Sequence, residues 1–377
     1  MAKTGCYFLY LNEEDMIKAN VKDMPLCMDT MEEMFKLLHL EDYRMGGPSA
    51  NEHGIRVSFP RESKIEGMPI AKPDYRFMAM PAYLGGRFHS FGIKTYGSNP
   101  DNKEKGLPRS ILMMSLMDAS SGAPIAYMSA NVLSAMRTGA VTGLGCKHFC
   151  NKESKVLSII GPGVMGIYAL DAFMCCDIGF DTIKVKGRGK ASLDKFVNYV
   201  KTQYPSLKNI IICDNYEEAC KNSDLIYYGT TNAANYEDNP YIEEEWVKEG
   251  AVIISASALL VKPEFLKKCK LVADNYKMYE GWGTGNPYPT QKTVSTLLGM
   301  GFYDAVCAGL ISRSDVFDLG DVLVNNIKVR NTTKDIIMYS VGGMPVEDVA
   351  WAFMVYNFAK EHGIGNELKL WDVSALV

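Results

Sequence analysis

The sequence predicts an α/β protein of two domains: a doubly wound parallel sheet, and an α+β domain built from both ends of the chain. Three observations carry this. At 377 residues the chain exceeds one ordinary core, and roughly 150 residues per domain suggests two or three. Its texture changes near residue 130 and again near 325. Between those points an apolar strand runs directly into Gly161-Pro162-Gly163-Val164-Met165-Gly166.

From the N-terminus, Asn12-Glu13-Glu14-Asp15 opens a first helix with a polar cap and an acidic first turn. A second helix, near 28–40, carries Met31, Met34, Phe35 and Leu38 at three- and four-residue spacing. From Gly54 to Met128 the chain breaks into short strand-like runs punctuated by Gly and Pro. Ile55-Arg56-Val57-Ser58-Phe59, Phe77 to Met80, Phe91 to Tyr96 and Ile111 to Met117 suggest a mixed or antiparallel sheet. A long helix is expected over about 129–149.

Val156 to Ile160 then reads as a strand buried on both faces. Further runs at Ile183-Lys184-Val185, Ile210 to Ile212, Leu225 to Tyr228, Val252 to Ser255 and Leu271 to Ala273 alternate with helical or loop segments. This alternation is the pattern of a doubly wound domain. The expected division is therefore 1–130 with 326–377 for one domain and 131–325 for the other. After about 325 the chain is expected to pack back on the first domain through a helix over 349–361.

A net charge of −4 gives no electrostatic reason to expect nucleic acid or an anionic membrane. The apolar start, Cys6 to Leu11, is too short for a signal peptide, and nothing approaches a membrane span. A cytoplasmic protein is expected. The ten cysteines are scattered. Cys146-Lys147-His148-Phe149-Cys150 resembles a metal box only faintly, because no second ligand pair follows. Reduced core thiols and no metal are expected.

A lone GxGxxG is weak, but here it leaves a strand and opens a helix containing Ile167, Leu170 and Phe173. In that context Gly161 permits the tight turn, Gly163 admits a pyrophosphate, and Gly166 lets helix and strand close up. Val164 and Met165 lie at the helix N-terminus facing the anion. This predicts a Rossmann-type dinucleotide site. An NAD site wants a carboxylate after the second strand. Here Lys184-Val185-Lys186-Gly187-Arg188-Gly189-Lys190 has no acid, so Arg188 and Lys190 favour NADP(H) over NAD(H).

Outside that domain, Met80 to Gly86, Gly92-Ile93-Lys94, Gly106-Leu107-Pro108 and Asn131 to Ala140 precede the glycine turn in order. With Gly343-Met344-Pro345-Val346-Glu347-Asp348, they resemble the ornithine cyclodeaminase and mu-crystallin family, from Tyr10-Leu11 to Asp348. The resemblance implies that Arg56, Lys94 and Arg137 bind a substrate α-carboxylate, for which Arg offers bidentate geometry. It also implies that Thr138 touches the pyrophosphate and that Asp348 lies at the site rim. Acids in a first helical turn also answer the helix dipole alone. A homodimer built through the first domain is likewise implied.

The family's cyclodeaminases carry an aspartate just after the fifth strand of the dinucleotide domain. Here that strand continues as Ser255-Ala256-Ser257-Ala258-Leu259-Leu260-Val261-Lys262, without an acid. Glu264 reads as the first turn of the following helix. The departure favours net redox chemistry: hydride transfer between a nicotinamide and the Cα of an α-amino acid, or of a cyclic or secondary amine acid, interconverts the amine and its imine, with Lys94 as proton donor. A cyclodeaminase-like ammonia lyase and a crystallin-like cofactor binder are the alternatives.

Overall fold

The computed structural model describes residues 5–72 and 74–376. The chain divides into two compact units. Residues up to 23, 40–137 and 344 onward form the first unit; residues 24–39 and 138–343 form the second. This differs from the expected division in three places. Residues 24–39 and 326–343 both belong with the parallel sheet, and residues 131–137 belong with the first unit.

The first unit is built on an eight-stranded mixed sheet. Its strands are β1 (Cys6–Leu11), β2 (Tyr43–Met45), β3 (Ile55–Val57), β4 (Arg76–Leu84), β5 (Ser90–Ser98), β6 (Ser110–Asp118), β7 (Pro124–Ser129) and β18 (Asn366–Trp371). Their order is β18-β1-β7-β6-β5-β4-β2, with β3 also paired to β4. Only β1 with β7 is parallel; the other pairs run antiparallel. The period-two pattern of β5 buries Ser90, Gly92 and Lys94 on one face. The C-terminal helix Pro345–Glu361 covers that face, where a Cβ on Gly92 would stand 3.0 Å from Val349 Cγ2. Trp351 in this helix is fully buried and donates its Nε1 hydrogen to the Val21 carbonyl at 3.2 Å. The expected first helix is present as Glu13–Lys18. Its Asn12 cap accepts from Asp15 N, and the Asp15 side chain accepts from Asn12 N, closing a capping box.

The second unit carries an eight-stranded sheet, parallel throughout. Its strands are β8 (Val156–Ile160), β9 (Thr182–Lys186), β10 (Asn209–Ile212), β11 (Leu225–Tyr228), β13 (Val252–Ser255), β15 (Lys270–Ala273), β16 (Val316–Asp318) and β17 (Ile337–Ser340). A separate pair, β12 (Tyr241–Ile242) with β14 (Leu260–Val261), lies off it. The order β10-β9-β8-β11-β13-β17-β15-β16 reverses direction between β8 and β11, the topological switch point of a doubly wound sheet. Strand β17 was not anticipated. All four of its residues are buried, and it fills the gap between β13 and β15.

Two long helices complete this unit's packing. The helix Met24–His39 packs at Phe35 against the short helix Leu319–Val324, where a Cβ on Gly320 would meet the Phe35 carbonyl at 2.6 Å. That contact, rather than its place in the chain, assigns it to the second unit. The long helix Asn131–Phe149 crosses the boundary between units after Arg137. Among the described residues no helix is long and apolar enough to cross a membrane.

Trp351→Ala removes a large buried ring and leaves the Val21 carbonyl without its indole donor. It should cost the first unit about 3–5 kcal/mol, read as a lower urea midpoint for its unfolding transition. A loss under about 1 kcal/mol would place Trp351 outside the core.

Candidate functional site

In the first unit, four charged side chains meet where no water reaches them. Lys94 stands mid-strand on β5, between Met80 and Met114 on the neighbouring strands, and is only 2% exposed. Ser134 and Arg137 are one turn apart on the helix Asn131–Phe149, so they share a face. Glu347 and Asp348 occupy the first turn of Pro345–Glu361, behind Pro345 and without a side-chain cap, and both are 0% exposed. The dipole of that helix favours acids there.

Asp348 is the hub. Its Oδ2 lies 2.6 Å from Lys94 Nζ, and its Oδ1 accepts from Arg137 Nε at 3.0 Å. Arg137 Nη1 donates to Glu347 Oε2 at 2.5 Å, and Ser134 Oγ accepts from both Lys94 at 3.1 Å and Arg137 at 3.3 Å. Burying an ion costs several kcal/mol unless it is paired and hydrogen-bonded, and here two cations balance two carboxylates. Burial and the nearby Arg137 charge pull the Lys94 ammonium down to about 8, against the opposing pull of Asp348. Burial works against the Arg137 charge as well, but Asp348 and Glu347 outweigh it and raise its pKa. Burial likewise opposes the Asp348 carboxylate, and the two cations outweigh it, so its pKa falls. The cluster thus holds one strong cation and one group that exchanges a proton near neutral pH.

Of the residues singled out from sequence, Lys94 and Arg137 are brought together. Arg56 is not among them. It sits exposed on β3 opposite Met78, while Lys94 is opposite Met80. Their partners are two residues apart, so Arg56 and Lys94 share a face of the sheet with β4 between them. Asp348 is not at a rim; it is the innermost member of the cluster. Glu347 and Ser134 were missed as partners. The signal was present in the spacing of Ser134 and Arg137 and in two adjacent acids behind a proline.

In the second unit the glycine turn leaves β8 as expected. Gly161 has φ +104, and a Cβ there would strike the Gly229 carbonyl at 2.5 Å, so only glycine fits beside the end of β11. At Gly166 a Cβ would lie 2.4 Å from Gly161 O. At Gly163 it would meet nothing within 4 Å. The helix Val164–Met174 begins there with no side-chain cap, and Val164 is exposed. Open space before uncapped amides of Val164, Met165 and Gly166 fits a dinucleotide pyrophosphate. Thr138 is half-buried on the helix Asn131–Phe149, one residue after Arg137.

After β9, a Cβ on Gly187 would lie 2.7 Å from Pro162 Cγ, which sets this loop against the glycine turn. Arg188 and Lys190 are exposed there, and Gly189 starts the helix Lys190–Gln203 without a side-chain cap. The loop after β13 holds Ser257, whose Oγ accepts from Thr230 N at 3.0 Å. A buried acid, Asp274, stands just past β15. It accepts from Gly342 N, Asn275 N and Tyr279 OH at 2.6–2.9 Å. Burial pushes it up to about 6 although these donors pull the other way. Its role is to fix the Gly342-Gly343 segment. Among the described residues no group of His, Cys, Asp and Glu could hold a metal ion.

The sequence profile of the ornithine cyclodeaminase/mu-crystallin family matches residues 20–363. The N-((2S)-2-amino-2-carboxyethyl)-L-glutamate dehydrogenase of Staphylococcus aureus is 31% identical over 299 residues, which is 78% of this chain and 82% of that one. The alanine dehydrogenase of Archaeoglobus fulgidus is 28% identical over 97% of this chain and 99% of its own. The structure of an archaeal alanine dehydrogenase dimer with bound NAD superposes with a TM-score of 0.74 at 25% identity, covering 97% of this chain and all of that one. The chain belongs to the ornithine cyclodeaminase/mu-crystallin family.

Proposed function

We propose that the chain is an NADP(H)-dependent oxidoreductase that interconverts an α-amino acid, or a cyclic or secondary amine acid, and its imine. The buried Lys94–Asp348–Arg137 cluster carries this reading. It offers an α-carboxylate two cations that already hold carboxylates, together with one proton that moves near neutral pH.

Held at the Gly161–Gly166 turn, a nicotinamide dinucleotide would contribute the hydride chemistry at the substrate Cα. The chain's own residues do the rest. Arg137 pairs with the carboxylate, and Arg56 on the same sheet face adds a second guanidinium. Lys94 Nζ gives a proton to the imine nitrogen as it becomes an amine, and takes one back in the oxidative direction. Asp348, bound to both cations, holds the ammonium in place and favours its charged form. The exclusion of water around the cluster strengthens each of these interactions. The acid-free loop after β13 favours net redox over cyclodeamination, because its Ser257 hydroxyl serves the backbone at Thr230.

Arg188 and Lys190, with the uncapped start of Lys190–Gln203, support NADP(H) over NAD(H). The substrate-binding unit also leaves an apolar sheet face uncovered. Phe77, Ile111 and Tyr127 are 48%, 47% and 36% exposed on it, more than a solitary sheet face tolerates. A second copy of this chain is its proposed cover, in keeping with the dimeric alanine dehydrogenase it resembles.

NADPH should be consumed in proportion to an added cyclic imino acid or a 2-oxo acid with an amine, followed by the loss of its absorbance. Ammonia release from a diamino acid without net cofactor change would replace this reading with the lyase, and tight NADPH binding with neither reaction would leave only cofactor binding. Reduction needs Lys94 protonated, so kcat/KM in that direction should hold below pH 8 and fall as pH rises through about 8. Lys94→Met should lower kcat about 10²–10⁴-fold and abolish that limb. A variant retaining wild-type turnover at saturating substrate would remove Lys94 from proton transfer. Arg188→Ala should weaken NADPH about tenfold or more, one charge-assisted contact with a phosphate, and leave NADH unchanged. Equal losses for both would contradict the 2′-phosphate assignment.

A further inference from the structure

The second unit contains a thiol cluster that plays no part in the reaction proposed above. The helices Asn131–Phe149 and Val164–Met174 come closer than ordinary side chains allow. A Cβ on Gly139 would lie 2.5 Å from Tyr168 O, and one on Gly143 would lie 2.7 Å from Ala172 Cβ. One turn beyond Gly143, on the same face, is Cys146, fully buried, and a turn further is Cys150. Cys176 follows the end of the second helix and turns back to this groove. Its thiol donates to Gly143 O at 3.5 Å and to Ala172 O at 3.4 Å. Cys146 therefore lies one turn along the helix from the Gly143 carbonyl that receives the Cys176 thiol.

A cavity of about 320 Å³ opens onto this cluster, lined among others by Cys176, Lys147, Lys152 and Met28. Lys147 is held there by Glu32 at 2.7 Å and Lys152 by Asp177 at 3.5 Å. The hydrogen bond with Cys146, then the charges of Lys147 and Lys152, lower the Cys176 thiol against the effect of burial. Its two thiol neighbours, then burial, push Cys146 the other way, so it stays protonated in the resting pair. A cysteine beside two cations, reachable from a cavity and received by the helix one turn from a second, buried thiol, is the arrangement of a redox-responsive pair.

We propose that Cys176 is a modification site for hydroperoxides, with Cys146 as its resolving thiol. The Cys176 thiolate attacks one peroxide oxygen and the O–O bond breaks. Sulfur is oxidised by two electrons to a sulfenic acid, and the departing alkoxide or hydroxide takes a proton as alcohol or water. Cys146 sulfur then attacks the Cys176 sulfur; the S–S bond forms, the S–O bond breaks, and hydroxide leaves as water with the Cys146 proton. In sum, two thiols and one hydroperoxide give a disulfide, water and an alcohol (or a second water). The disulfide ties the end of the glycine-motif helix to the helix Asn131–Phe149, and a thiol reductant reverses it.

Treating the reduced full chain with one equivalent of hydrogen peroxide, alkylating the remaining thiols and mapping peptides by mass spectrometry tests this. The expected product is a Cys146–Cys176 linked peptide that dithiothreitol releases, with Cys175 and Cys307 still alkylated although both are exposed. Cys146→Ser should halt the reaction at a sulfenic acid on Cys176, trapped by dimedone. Cys176→Ser, at a half-buried position, should abolish the linked peptide and slow peroxide consumption about tenfold or more. Oxidation that instead follows exposure, with Cys175 and Cys307 reacting first, would overturn the proposal. So would a wild-type chain whose Cys176 is trapped by dimedone with no disulfide formed.

Discussion

Two carboxylates and two cations, buried together in the first unit, are the constraint around which its other parts are arranged. None of the four could be buried alone, since an unpaired ion in a low-dielectric interior costs more than the unit could supply. They come from three distant parts of the chain: Lys94 from β5, Arg137 from the helix Asn131–Phe149, and Glu347 with Asp348 from Pro345–Glu361. Each element must therefore sit where the others need it. The C-terminal helix must cross the face of β5 at Gly92, with its first turn at Lys94, and a proline at its start fixes the direction in which the two acids enter.

The same cluster is poised for exchange rather than for rigidity. Asp348 gives one oxygen to each cation, and Lys94 is drawn down to about 8 by burial and by Arg137. On the proposed function, an arriving carboxylate would offer both cations a partner of the kind they already have, and contacts built in advance would offset its desolvation. The glycine turn of the second unit follows a parallel logic by other means. It presents no charge at all, only open space at Gly163 and a row of uncapped amides.

Much of this was legible in the sequence. The apolar run Val156 to Ile160, the glycine spacing and the strand-helix alternation announced the parallel sheet, because burial on both faces leaves an unmistakable composition. The position of Arg188 and Lys190 after β9 could be read in the same way. Strand β17 could not. Its four residues follow a loop and return to the middle of the sheet between β13 and β15, both far earlier in the chain, and local pattern carries no trace of such long-range insertion. The helix Met24–His39 was legible as a helix but not as part of the second unit, since its amphipathic face does not say what it will cover. Within the site, the family resemblance pointed to Lys94 and Arg137, each of which taken singly reads as an ordinary surface cation, whereas Arg56, implied with them, is exposed. The acids were underrated because Glu347 and Asp348 look like ordinary first-turn residues until the strand beneath them is known.

The most direct measurement is a crystal structure of the chain with NADPH and an unreactive α-amino or α-hydroxy acid. The account predicts one carboxylate oxygen within about 3 Å of Arg137 and the substrate nitrogen or hydroxyl within the same distance of Lys94. A carboxylate held by other residues, with the Lys94–Asp348 and Arg137–Asp348 pairs undisturbed and closed to it, would contradict the account.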